Sequence, residues 1–424
     1  MKAKKMIATT LVLALTSMIF TGCGSSTDSS SKVENGVTKL EFFSSKMENV
    51  STMQKLVDQF NEENKDIQVT LNAPADAGTV LKTRMTKDDL PDIIAYGGDN
   101  TYTELTDAGI LVDLKDQDFM KSINESYMQT VYDINAGQEK KAYGIPFATN
   151  ASGIIYNVDL FKKANVAVPK TWDELIQVCD ALTAAGITPF ELSFKDSWTI
   201  LPSWNSLAPA IQPDGFLAAK KEGKATFLGT HEEVLQKYSK IVSYAQNDFM
   251  GTSYDDGNRN FANGEAAMLI NGVWAVSEIK KTNPDIHMDM FAYPATNDPA
   301  KNKVVSGIDV MLMVTKQCKN PDAAKRFLAF LLKPENSQTY IDEQFAFSPV
   351  SGVVQKDASV AGLANDIAEG KVTDFVDHYY PSGYDLSAIL SEFFLNQANK
   401  MDENQNIEAT LKSCDEQYDI LNVQ

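Results

Sequence analysis

From Leu40 onward the hydrophobic period switches between two and about 3.6, and this switching constrains the fold more than any other feature of the chain. TKLEFFSS alternates as a strand does. STMQKLVDQFNEEN then sets Met53, Leu56, Val57 and Phe60 on one helical face, with Ser51 and Gln54 spaced as a capping box. IQVTL, Ile67 to Leu71, returns to period two, and the cycle repeats with a helix through TVLKTRM, a short strand in PDIIAYG and the helical YTELTDAG. Strands separated by helices predict an α/β chain with parallel sheet and helices on its faces. TWDELIQVCDALTAAG predicts a helix with Thr171 and Glu174 as capping box, Trp172, Leu175, Ile176, Cys179 and Leu182 on one face, and Gly186 at the stop. NPDAAKRFLAFLL, opened by Asn320 and Pro321, predicts another, and the end after Asp357 is helix-rich.

The pattern is preceded by two segments of a different kind. MKAKKMIATTLVLALTSMIFTGC joins three lysines (Lys2, Lys4, Lys5) to an apolar run too short to span a bilayer comfortably, which reads as an export signal. The run ends in FTGC, and small residues before a cysteine look like a bacterial lipobox, in which Cys23 is lipidated after removal of residues 1–22; Phe20 stands where Leu is commonest. An ordinary cleaved signal with a chance cysteine is the alternative. GSSTDSSSKVENG then has Val33 as its one aliphatic residue, too little apolar surface to fold, so residues 23–37 are expected to be a flexible tether. On this reading the protein sits on the outer face of the cell membrane, held there by the lipid on Cys23.

About 390 residues remain, more than one core usually organises, so two domains are expected. Without the three signal lysines, 35 basic residues face 57 acidic ones, a formal charge of -22. Such a surface repels phosphate backbones, which argues against a nucleic-acid partner. Cys179, Cys318 and Cys414 are odd in number and widely spaced, as neither a disulfide framework nor a zinc site would be. His231, His287 and His378 stand far apart, and the chain has no GxSxG elbow, P-loop or GxGxxG. No metal, cofactor or catalysis is therefore expected, although carboxylates are plentiful enough that counting does not dismiss a glycosidase pair.

Aromatic residues do stand beside polar ones in AYGGDN, FKDSWTILPSWN, NGVWAVSEI and HYYPSGYD. Sugars present flat C–H faces that pack on rings and a fringe of hydroxyls that amides and carboxylates bind, so sites of this composition suit them. The competing reading places each aromatic in a core. A second anomaly is AYGIPFATNASGIIYN, Ala142 to Asn157, where Thr149 to Ser152 interrupt an otherwise apolar stretch. An asparagine capping its own turn is one explanation for Asn150.

Several stretches, in order, resemble the extracellular solute-binding proteins of ABC importers, in the carbohydrate group typified by maltodextrin-binding protein. They are PDIIAYGG with LTDAGILVDL, YGIPFATNASGIIYNVDLFKKANVAVPKTWDEL, FANGEAAMLINGVWAVSEI, SGIDVMLMVTKQCKNPDAAKRFLAFLLKPENSQTYI and FSPVSGVV. The resemblance implies two α/β lobes, each a mostly parallel sheet flanked by helices, closing on a ligand about several crossings. The crossings would fall near 149–153, 304–307 and 349–352, giving one lobe of 38–148 plus 308–348 and another of 149–307 plus 349–424. Carried over, the family's sugar contacts land on Ser44, Ser45, Tyr96, Asp99, Asn100, Asn150, Trp198, Trp274, Asp309 and Tyr384, with Trp204 as an alternative to Trp198. Sugar-binding relatives often carry an acidic residue where this chain has Asn150. The implied protein is a monomeric receptor that delivers a sugar to permease subunits; a receptor for a non-sugar solute and a secreted carbohydrate-active enzyme are its rivals.

Overall fold

Leu40, Phe42 and Phe43, the apolar positions of the first predicted strand, are buried in the computed structural model of the chain, which describes residues 33–34, 36–134, 141–381 and 383–422. The first five strands, β1 (Val33–Glu34), β2 (Val37–Ser44), β3 (Ile67–Asn72), β4 (Ile93–Tyr96) and β5 (Ile145–Thr149), lie in one sheet. The next five, β6 (Ser152–Asn157), β7 (Thr188–Glu191), β8 (Ala266–Gly272), β9 (Met288–Phe291) and β10 (Val304–Val305), lie in a second. β11 (Ile308–Val314) then returns to the first sheet, between β4 and β5, and β12 (Val372–Thr373) to the edge of the second. Each sheet has its own apolar core, one around Phe42, Ile94, Phe147 and Leu312, the other around Phe190, Leu207, Met268 and Phe394. The molecule is therefore two lobes built from interleaved segments.

Both sheets are mixed, not mostly parallel. β2 pairs parallel with β3 and β4, β7 with β8, and β10 with β12. β11 runs antiparallel to β4 and β5, and β6 antiparallel to β8, β9 and β10. The cause is the crossings: a chain that leaves one lobe along β5–β6 and returns along β10–β11 must run those segments in opposite directions. Hydrophobic period is blind to strand direction, which is why alternation alone predicts a parallel sheet.

The third crossing lies later than 349–352. Val350 and Val353 still pack in the first core, Asn124 donates to the Pro349 carbonyl and Ser351 to that of Ser122. Phe345 and Phe347 already touch the apolar cluster of the second lobe, and after this first-lobe stretch the chain re-enters that cluster at Val360, just after Asp357 caps the turn Ala358–Val360. At the other end of the chain, residues 1–22 and Cys23 lie outside the described residues, but the last part of the expected tether is folded: β1 pairs with the start of β2, and Gly36 has φ +82°. Asn-Gly at 35–36 is a hairpin signal that outweighed the polar composition. The helix Val50–Glu63 starts before Ser51, so Asn49 is its N-cap and Gln54 bonds Asp58 instead of closing a capping box. Thr171 does cap Trp172–Ala184, accepting from the Glu174 N–H at 3.3 Å.

One buried charge makes stability depend on pH. Glu191, at the end of β7, is 2% exposed and accepts from Asn260 Nδ2 at 2.8 Å and Gln246 Nε2 at 3.2 Å. Burial pushes its carboxyl from 4.5 up to about 7, against a smaller lowering by Asn260 and with Glu265 adding to the rise. The folded state thus holds this proton more tightly than the unfolded chain, and stability is lost as pH rises from about 4.5 through 7. Over that window the loss is roughly 3 kcal/mol. Urea denaturation at pH 5 and pH 8 should show wild type losing up to that amount relative to Glu191→Gln; equal pH dependence of the two would contradict it.

Candidate functional site

Strand ends of both sheets meet at the crossings, and the polar break at Thr149 to Ser152 lies there. Asn150 follows β5 and is tied to the returning chain: its N–H donates to the Gly307 carbonyl, its Oδ1 accepts from the Gly307 N–H, both at 3.2 Å, and its carbonyl accepts from Ser306 Oγ at 2.7 Å. Its Nδ2 donates to Asp309 Oδ1 at 3.0 Å. The same oxygen accepts from Lys46 Nζ at 2.6 Å, and Glu48 lies 3.3 Å from that ammonium. Burial alone would lower Lys46, but Asp309 and Glu48 more than offset it and hold the ammonium above its ordinary range. The cluster carries one positive and two negative charges.

Trp274 faces this cluster from the second lobe. It opens the helix Trp274–Thr282, just past the end of β8, and its ring covers Gly272, where a Cβ would collide with it. That contact is what NGVW needs its glycine for. The indole Nε1 is buried and has no hydrogen-bond partner. An aromatic face with an unpaired donor, set opposite an amide, a carboxylate and an ammonium, can bind C–H surface and hydroxyls together.

The other sequence-picked residues divide by position. Ser44 Oγ accepts from the Lys46 N–H at 3.4 Å and Ser45 N–H donates to Ala95 at 3.1 Å, so both shape the turn that presents Lys46. Asp99 caps the helix Asn100–Asp107 through the Thr101 N–H at 2.8 Å, and Asn100 Nδ2 reaches across the lobes to the Tyr380 carbonyl at 3.2 Å. Tyr96 points its hydroxyl at Gly78, within the first lobe. Trp198 is 42% exposed, its ring 5.0 Å from that of Tyr254. Trp204 is fully buried, stacked on His231 and donating to Tyr380 Oη at 3.1 Å, which makes it core. Tyr384 stacks on Phe227 and donates to the Cys414 carbonyl at 3.3 Å, so its polar end points into the second lobe. Sequence reasoning missed Lys46, Glu48 and Tyr340, whose hydroxyl accepts from Asn49 Nδ2 at 2.9 Å beside the cluster. A lysine directly after a strand end, SSKME, was the one available signal.

The lobes are drawn together here. The space between Lys46, Asn150, Trp274, Ser277 and Asp309 is about 20 Å³, room for one water and far too little for a sugar ring. A cleft of about 740 Å³ opens on the opposite face of the crossing strands, lined by Tyr127, Gly307, Ile308, Phe347 and Tyr379. Ile308 and Phe347 line this cleft, whereas their chain neighbours Asp309 and Ala346 line the small cavity. Polar groups line the large cleft too, among them Asn124, Glu125, Gln355 and Asp374, while Lys46, Glu48, Asn150 and Asp309 line the small side.

Residues 44–338 match the family model described as bacterial extracellular solute-binding protein. A multiple sugar-binding protein of Streptococcus mutans is 30% identical over 83% of this chain and 84% of its own length. The melibiose/raffinose/stachyose-binding protein MelE of Bacillus subtilis is 24% identical over 88% of each chain. The solved structure of the solute-binding protein RafE with raffinose superposes with a TM-score of 0.75 at 25% identity, covering 90% of this chain and 99% of that one. Among the described residues no helix is long and apolar enough to cross a membrane.

The ion pair at the crossing should be measurable without any ligand. Lys46→Met strands Asp309 in a partly buried position and should cost about 2 kcal/mol, while a double-mutant cycle with Asp309→Asn in urea should show coupling of about 1 kcal/mol or more. Additive effects would mean the pair contributes nothing to the fold.

Proposed function

The chain belongs to the bacterial extracellular solute-binding proteins, and on that premise we propose that it captures a carbohydrate between its lobes and delivers it to the permease subunits of an ABC importer. The observation that carries this reading is the unpaired indole N–H of Trp274, held against Lys46, Asn150 and Asp309 at the lobe junction. A sugar ring supplies what that arrangement lacks: a C–H face for the ring and an oxygen for the N–H. Trp198, half exposed beside Tyr254, offers a second platform for a longer saccharide. The names of the relatives point the same way, since they include binding proteins for multiple sugars, melibiose, raffinose and stachyose.

The cluster argues against an anionic solute, because Lys46 is already shared between Glu48 and Asp309. It argues equally against hydrolysis: both carboxylates serve one ammonium and orient hydroxyls instead of trading protons. Binding would draw on an open state, with the ligand favouring the closed one through contacts to both lobes. One chain supplies both lobes, so a monomer suffices, and lipid on Cys23 would keep it at the membrane where the permease is.

A thermal-shift panel tests this directly. Raffinose, stachyose and melibiose are the first probes, with a polyamine and a phosphate ester as rivals. A ligand at a hundred times its dissociation constant adds about 2.7 kcal/mol, and recovered sugar should be chemically unchanged. Trp274→Ala should weaken binding at least tenfold, about 1.4 kcal/mol, with the fold retained. A shift produced by the amine or the phosphate ester alone, or cleavage of the sugar, would overturn the proposal.

A further inference from the structure

The helix Trp274–Thr282 turns one row of side chains toward the first lobe. Trp274, Ser277 and Lys280 follow the i, i+3 row of a helix surface. The first two line the small cavity with Lys46 and Asp309. Lys280, a turn further, sets its ammonium 4.6 Å from the centre of the Phe345 ring and 2.9 and 3.0 Å from the two Asp357 carboxylate oxygens. These partners flank residues 346–356, which still pack on the first lobe through Val350 and Val353 before the chain crosses. Phe345 ends the first-lobe helix Pro334–Gln344 with φ +54°, a left-handed conformation uncommon for a bulky residue, and Ala346 beside it lines the same cavity. Asp357 stands where the chain arrives in the second lobe, capping the turn that leads to Val360.

We propose that Lys280 is a positioning residue for the binding site: it ties the Trp274 helix, and with it the second lobe, to both ends of the segment 345–357, so that the indole meets the Lys46–Asp309 cluster. Ala275, Val276 and Ile279 bury the other face of the helix in the second lobe. The ammonium ties that packed unit to the segment 345–357, because a carboxylate and a ring face at its two ends bind it at once. The segment 345–357 therefore transmits the position of one lobe to the Trp274 ring, through a side chain that does not line the cavity. The inference rests on the reading of Trp274 as a ligand platform.

Small-angle X-ray scattering of the ligand-free chain, with raffinose titrated in parallel, tests it. Lys280→Met keeps the stem and loses the charge, Asp357→Asn keeps the shape of the partner, and Lys280→Arg keeps both contacts. The first two should enlarge the radius of gyration and raise the raffinose dissociation constant about tenfold, with melting temperatures near wild type, while the arginine variant behaves as wild type. If Lys280→Met folds poorly, Asp357→Asn carries the test. Scattering curves of Asp357→Asn and Lys280→Met that superpose on wild type would overturn the inference. Expansion in those variants, with no sugar bound by wild type, would leave the clamp standing and sink the carbohydrate reading instead.

Discussion

The Asn150 side chain and its own peptide hold the two directions of the chain together. One residue accepts from Gly307, accepts from Ser306 and donates to Asp309, so the outgoing strand and the returning strand are joined where they pass between lobes. An apolar residue would leave the Gly307 N–H and one lobe of the Asp309 carboxylate without partners in a partly buried place, at a cost of about 1–3 kcal/mol for each group. Asp309, fixed by Asn150, fixes Lys46, and the Trp274 ring closes over the three. On the proposed function, a structural joint and a recognition surface are made from the same atoms.

That economy explains why the site is polar but nearly neutral. Three charges within hydrogen-bonding distance cancel to a single negative one, and each has a partner in the protein. Hydroxyl groups can exchange into such a network with little electrostatic penalty, whereas an ionic solute would have to displace an existing pair. Gly307 contributes by its smallness, since a Cβ there would lie 2.8 Å from Asp374 Oδ1, and the second lobe could not come so close.

Much of this was legible in the sequence, and the residues show why. Periodicity located the strands around Phe42, Val69 and Ile94, and the Thr171 cap was read correctly from a four-residue spacing. The polar break drew attention to Asn150, and NGVW to Trp274. What could not be read was direction and distance. β11 has the same alternation whichever way it runs, so the mixed sheets were invisible. Lys46 meets Asp309 across 263 residues and Asn49 meets Tyr340 across 291, separations over which no local pattern operates. Composition near Tyr384 and Trp204 resembled that near Trp198, yet only the last is exposed; side-chain direction on a helix or turn depends on packing partners that lie elsewhere in the chain.

The place of β11 carries a consequence for how this protein reaches its native state. β11 sits between β4 and β5 and supplies the partner for both. As the chain emerges, those two strands wait with open edges until residues 308–314 arrive, by which time all but one of the second lobe's strands have been made. Open edges invite pairing with other chains, and contacts of such long sequence separation form slowly. A chain of this design gains from being kept extended until it is complete, so its assembly is timed by the last third of its length and not by the order in which its lobes appear.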